Sequence, residues 1–253
     1  MIAKQISSYF HFGTCVRFLQ DARVNQLIIG DGYVLSNLNS FFGYLDDLNL
    51  QVSKRASYKL QKLTNSFQEL PESSTLTELQ CEELTKYINE VRLTLNAELQ
   101  GFDAYVVTPK RLDTTRLIGN VDELFNPEIF WYLPDIAIHD FNEAGRSIAF
   151  ECSTAAAFHL LRGTEAVLRA YYQEIVKRNR CQLMWGNIVQ DLRKKKPTQE
   201  RITLLNNLDN IRLSFRNPTQ HPEKIYDIQE VQDLFGLCVD VVNRMAKEKL
   251  ILA

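Results

Sequence analysis

Cysteine and histidine are sparse in this chain of 253 residues, at five and four copies. Cys15, Cys81, Cys152, Cys181 and Cys238 show no C-x-x-C spacing, and an odd, dispersed set supports neither a disulfide framework nor a zinc site. No two of His11, His139, His159 and His221 share the spacing of a metal pair on one helix face, so neither metal nor cofactor is expected. No apolar run approaches the length of a membrane span, and the opening MIAKQISSYFHFG lacks the apolar core of a signal peptide. A cytoplasmic chain with no membrane partner is therefore expected. The patterns G-x-x-x-x-G-K-[ST], G-x-G-x-x-G, G-x-S-x-G and H-E-x-x-H are also missing. P-loop hydrolysis, dinucleotide chemistry, serine hydrolysis and zinc proteolysis thus have no support.

What is present is an ordinary globular composition, 45% hydrophobic and 24% charged, long enough to bury a real core. Net charge is −2 but unevenly divided, with 12 basic against 18 acidic side chains in residues 1–140 and 17 against 13 in residues 141–253. A mildly basic second part is compatible with a phosphate-bearing partner. Apolar residues at helical spacing from Leu35 to Leu70 predict one long helix or two shorter ones, and Leu84, Tyr87, Ile88, Val91 and Leu95 predict another over about 76–99. The stretch DAYVVTPKRLDTTRLIG is the one place where a small β-hairpin is expected. Pro134 is taken as the boundary between a mostly helical N-terminal domain, 1–134, and an all-α bundle, 135–253. The bundle is expected to hold four helices over about 140–178, 183–194, 199–215 and 228–250, the last opened by Asp227 and Glu230. The fold class is mainly α.

Near the C-terminus the chain reads LSFRNPTQHPEKIYDIQE. In one continuous helix Arg216 and His221 would stand about 140° apart. Pro218 and Pro222 disfavour helical geometry at the residues before them, so a helix is expected to end on Arg216 and leave a tight loop that holds both side chains. A guanidinium and an imidazole so placed can cleave RNA without metal. A ribose 2′-hydroxyl attacks the adjacent phosphorus, His221 moves a proton near neutral pH, and Arg216 stabilises charge on the phosphoryl oxygens. The plainer use of the same residues is a surface salt bridge and a loop histidine capping the last helix.

R-N-P-T-Q-H before a capped last helix resembles the Arg-x(4–6)-His motif of the HEPN superfamily, in which a polar residue such as Asn217 commonly follows the arginine. AGRSIAFECSTAAAFHLLRGTEAVLRAYY resembles the long helix of a bacterial HEPN-like group, and the likeness covers about residues 135–246. It implies a helical bundle that forms a homodimer, with two motif loops meeting in one composite site, and a ribonuclease acting as a toxin or anti-phage effector beside an antitoxin or defence-system partner. Asn217 would hold the loop. Members without activity bind nucleotides or proteins, which leaves a silent binding module as the rival.

Glu165 falls within the stripe Phe158, Leu161, Leu168 and Tyr172, so its carboxylate is expected on the apolar seam, paired with Arg212 or Arg216. That pair could orient the catalytic group or fix helix register. Arg162 and His159, three residues apart, are candidates for phosphate contacts or for half-solvated boundary positions. Arg212 is a further candidate for an RNA phosphate. The runs Lys177–Arg180 and Lys194, Lys195, Lys196 fall at expected helix ends, where they serve as caps, as an RNA-gripping rim, or both. Phe130, Trp131 and Tyr132 could stack bases or pack a junction.

Overall fold

The computed structural model describes residues 5–103, 105–176 and 184–252. Helices dominate, and the only β pairing among the described residues is a single antiparallel bridge between Leu27 and Thr75. No helix there is long and apolar enough to cross a membrane. The chain divides into two compact units, Met1–Tyr105 and Val106–Ala253.

The first unit contains α1 (Ile6–Gln20), α2 (Val34–Asp47), α3 (Gln51–Ala56), α4 (Tyr58–Gln68) and α5 (Glu78–Leu99). The periodic stretch expected as one or two helices is three, because Asn49 takes a positive φ and Ser57 interrupts the run again. The α5 stripe Leu84, Ile88, Val91 and Leu95 is buried in one apolar cluster with Leu19, Leu38, Phe41 and Phe67. Thr77 and Gln80 close a reciprocal capping box at its start. Near its end Glu98 accepts the backbone N–H groups of Val52 and Ser53 at 3.0 and 2.7 Å, satisfying two orphan donors at the start of α3.

The second unit is the larger core. It contains α6 (Thr114–Gly119), two short 3₁₀ turns at Val121–Leu124 and Ile129–Tyr132, α7 (Asp135–Ala149), α8 (Ser153–Val176), α9 (Trp185–Arg193), α10 (Gln199–Ile211), a π-helical turn (Arg212–Arg216), α11 (Asn217–Thr219) and α12 (Ile228–Leu252). Leu117, Val121, Phe125, Phe130 and Leu133 lie in one apolar cluster with α7, α8 and α12. The division therefore falls before Val106 rather than at Pro134, whose carbonyl instead accepts the first turn of α7 from Ala137 at 2.8 Å. Of the aromatic triplet, Phe130 is buried against Phe125, while Trp131 and Tyr132 are exposed.

The described residues of the expected hairpin form no strand. Residues 106–112 run without a strand partner and are pinned by side chains instead. Thr108 and Lys110 bond Glu151, and Gln232 of α12 accepts the Leu112 N–H at 3.1 Å. The long helix expected over 140–178 is two helices, because Glu151 adopts φ 61° between α7 and α8. Asp227 accepts the Glu230 N–H at 2.8 Å at the start of α12, but the Glu230 carboxylate pairs with Lys224 rather than closing the box.

Gly145 sets how closely α7 meets α6. A Cβ there would lie 2.4 Å from the Leu117 carbonyl oxygen and 2.7 Å from a Val121 methyl. Overpacking against backbone costs about 1–3 kcal/mol, which outweighs the ~1 kcal/mol that alanine's helix propensity returns. Gly145→Ala is expected to lower the urea midpoint of the full chain, and a raised midpoint would contradict this seating of α6.

Candidate functional site

On α7 the positions Ala137, Asp140, Phe141, Ala144 and Ile148 repeat at helical spacing and are all buried. Asp140 thus points into the seam with α8 and has no solvent exposure. Gly163 of α8 lets that seam close, since a Cβ on it would stand 3.1 Å from the Asp140 Cβ and 3.4 Å from the Phe141 ring.

A carboxylate in such a place must be paired and hydrogen-bonded. One α8 turn earlier, His159 Nδ1 lies 2.9 Å from Asp140 Oδ1. Arg162 closes a fork on the same carboxylate, Nε to Oδ2 at 2.7 Å and an Nη to Oδ1. Burial pushes the Asp140 carboxyl up, but the hydrogen bonds and charge of Arg162 and His159 outweigh it and hold the group below its usual range. Its hydrogen bond to Asp140 in turn raises the Arg162 guanidinium.

One turn further along α8, Glu165 is 17% exposed at its side chain. It accepts from Arg169 at 2.7 Å and from Arg216 at 3.5 Å. Arg216 is therefore the partner across the bundle. Arg212 pairs instead with Asp209 at 3.0 Å and covers Gly186.

The helix does not end on Arg216. Asn217 is helical at φ −66°, ψ −50°, and its N–H bonds the Arg212 carbonyl five residues back. This π turn explains how Pro218 is accommodated. In an α-helix its ring would strike the carbonyl four residues earlier, and the wider turn relieves that clash. The backbone turns out only after Thr219, whose hydroxyl donates to the Phe215 carbonyl at 2.7 Å and meets the Tyr226 hydroxyl at 2.6 Å. The Gln220 N–H then closes on the Asn217 carbonyl, and the His221 N–H on that of Pro218.

These elements enclose a cleft of about 260 Å³ lined by Phe158, His159, Leu161, Arg162, Glu165, Arg216, Thr219 and Gln220. Its lining holds two guanidiniums, one imidazole and one carboxylate. His221, next in the chain after Gln220, is exposed, does not line the cleft, and makes no side-chain hydrogen bond among the described residues. Asn217 is half-buried and contributes its carbonyl to the turn.

The remaining expected contacts fall elsewhere. Lys194, Lys195 and Lys196 follow α9 directly, none of them lining the cleft, with the Lys194 and Lys195 N–H groups on the Asp191 and Leu192 carbonyls. The run 177–180 lies outside the described residues. A larger hollow, about 540 Å³, is lined by Arg201, Arg244, Lys247, Glu200 and Glu248, but Arg201 is paired with Glu248 and Arg244 with Asp240. Burial pushes the Cys238 thiol up to about 12, which removes it as a nucleophile near neutral pH. Among the described residues no group of three or more His, Cys, Asp or Glu side chains is placed to hold a metal.

Sequence reasoning found Glu165, Arg216, His159 and Arg162 but missed Asp140, which joins the last two. The signal was available, because Asp140 interrupts an apolar stripe just as Glu165 does. No family model, curated protein or solved structure matches the chain.

The depressed Asp140 fixes a pH dependence. Its folded-state pKa lies below its unfolded value, so its stabilisation is fully present above roughly pH 4 and is lost as pH falls through the folded value. Asp140→Asn is expected to cost about 1–3 kcal/mol at neutral pH. Its penalty should shrink in acid, as urea unfolding at neutral and acid pH would show. An equal penalty at both would contradict an ionised, paired Asp140.

Proposed function

We propose that the cleft binds an RNA phosphodiester and that the chain is a HEPN-type endoribonuclease whose chemistry needs no metal. The observation that carries this reading is the gathering of Arg162, Arg216 and His159 on one cleft, with His221 following in the chain directly after Gln220 of its lining. The guanidiniums supply charge for non-bridging phosphate oxygens, and His221 supplies an imidazole that can pass a proton. As the motif resemblance implies, two copies bring their loops together, and an antitoxin or defence-system partner restrains the nuclease.

One observation favours a second reading. Arg216 is already paired with Glu165, which also holds Arg169, and among the described residues no side chain orients His221. A bundle with those features could bind a nucleotide or a protein and cleave nothing.

Controlled expression of wild type, His221→Ala and Arg216→Ala, with growth and total RNA followed together, separates the two. Discrete RNA fragments are expected from the wild type. His221→Ala should lower the cleavage rate by about 10²–10⁴ and Arg216→Ala by about 10²–10³. Intact RNA with purified wild-type protein, in chelator and in magnesium alike, would give the binding module the lead.

A further inference from the structure

The geometry points to His159 as the residue that exchanges a proton with a phosphate or ribose oxygen in the cleft, with Asp140 as its positioning residue. The inference deepens the phosphodiester reading and names a second proton-transfer group for it.

Three observations lead there. The Arg162 fork already reaches both oxygens of the Asp140 carboxylate, and His159 brings a second cation-forming side chain to the same group. Next, His159 meets Asp140 through Nδ1, and because an ionised carboxylate can only accept, the pairing calls for a hydrogen on Nδ1 and makes Nε2 the nitrogen left for proton exchange. Asp140, fully buried and ionised, also stabilises the imidazolium that forms when Nε2 accepts a proton. Finally, the His159 side chain is 28% exposed and lines the cleft together with Arg216. The charged groups around it are Asp140 of α7, Arg162 and Glu165 of α8, and Arg216 of the π turn. His221, by contrast, makes no side-chain hydrogen bond among the described residues.

RNA cleavage by internal attack needs a base and an acid. His159 Nε2 takes the proton of the 2′-hydroxyl while the 2′-oxygen forms its bond to phosphorus. The bond from phosphorus to the 5′-oxygen breaks, and that oxygen takes a proton from protonated His221. Arg216 and the remaining Arg162 nitrogen hold the non-bridging oxygens. The products are a 2′,3′-cyclic phosphate and a 5′-hydroxyl. No water and no further reactant is consumed.

Two measurements on the full chain test this, and they fail separately. In the first, inorganic phosphate is titrated while the histidine ring signals are followed by NMR, with His159→Gln providing the assignment. Saturable movement of the His159 signals, weakened at least tenfold in Arg216→Ala, is expected. His159 signals that stay still while those of exposed histidines begin to move would overturn the inference, whatever the activity. The second compares RNA cleavage rates across pH. His159→Gln, whose amide can still donate to Asp140, should lose about 10²–10⁴ in rate. His159→Ala should recover part of its rate in added imidazole, and Asp140→Asn should displace the pH profile. A wild-type rate and profile in His159→Gln would overturn the inference and leave the nuclease reading in place. Phosphate that moves the His159 ring in a protein that cleaves no RNA would remove the nuclease reading and retain His159 as the cleft's phosphate contact.

Discussion

A carboxylate taken wholly out of water costs several kcal/mol unless charge and hydrogen bonds are supplied at the same point. Asp140 imposes that requirement on the second unit. Two α8 side chains meet it, His159 and Arg162, and they can do so only because Gly163 lets α8 approach the turn of α7 that carries the acid. The demand therefore sets the register of α7 on α8. It also turns one edge of α8 polar, and Glu165 follows on that edge to receive Arg216 from the far side of the bundle. The cleft is what remains between these two ionic contacts. Its charge arises from groups that the fold itself needs.

The second device is the π turn. A proline two residues past Arg216 would ordinarily stop or kink the helix, yet the chain carries the helical course through Thr219 by widening one turn. The Phe215 carbonyl is then satisfied by the hydroxyls of Thr219 and Tyr226. Arg216 stays on a rigid element, which suits a group that must hold position against an anion. The loop begins only at Gln220, so His221 lies past the helical course that carries Arg216.

Much of this was legible in the sequence wherever a single period decided the outcome. The helices over Glu78–Leu99 and Ile228–Leu252 follow from uninterrupted apolar spacing and from caps at Thr77 and Asp227. Glu165 could be placed on the seam for the same reason. The features that escaped depend on choices among competing local rules. Pro218 reads as a helix stop unless the π turn is foreseen. Glu151 gives no sign that it will take a left-handed conformation. The β-branched run near Val106 reads as a strand, but with no neighbour to pair with it is held by Glu151 and Gln232, which are remote in sequence. Asp140 was missed because it was read as a helix start, and a helix end is where an acid is usually explained by the dipole.

The central claim is that Asp140 holds His159 with Nδ1 protonated and leaves Nε2 open to the cleft. The tautomer of that ring tests it most directly, by long-range nitrogen–proton NMR of the full chain above neutral pH. A His159 signal pattern with the hydrogen on Nδ1 is the expected result. A hydrogen on Nε2, or an averaged mixture of the two forms, would show that the buried carboxylate does not orient the imidazole.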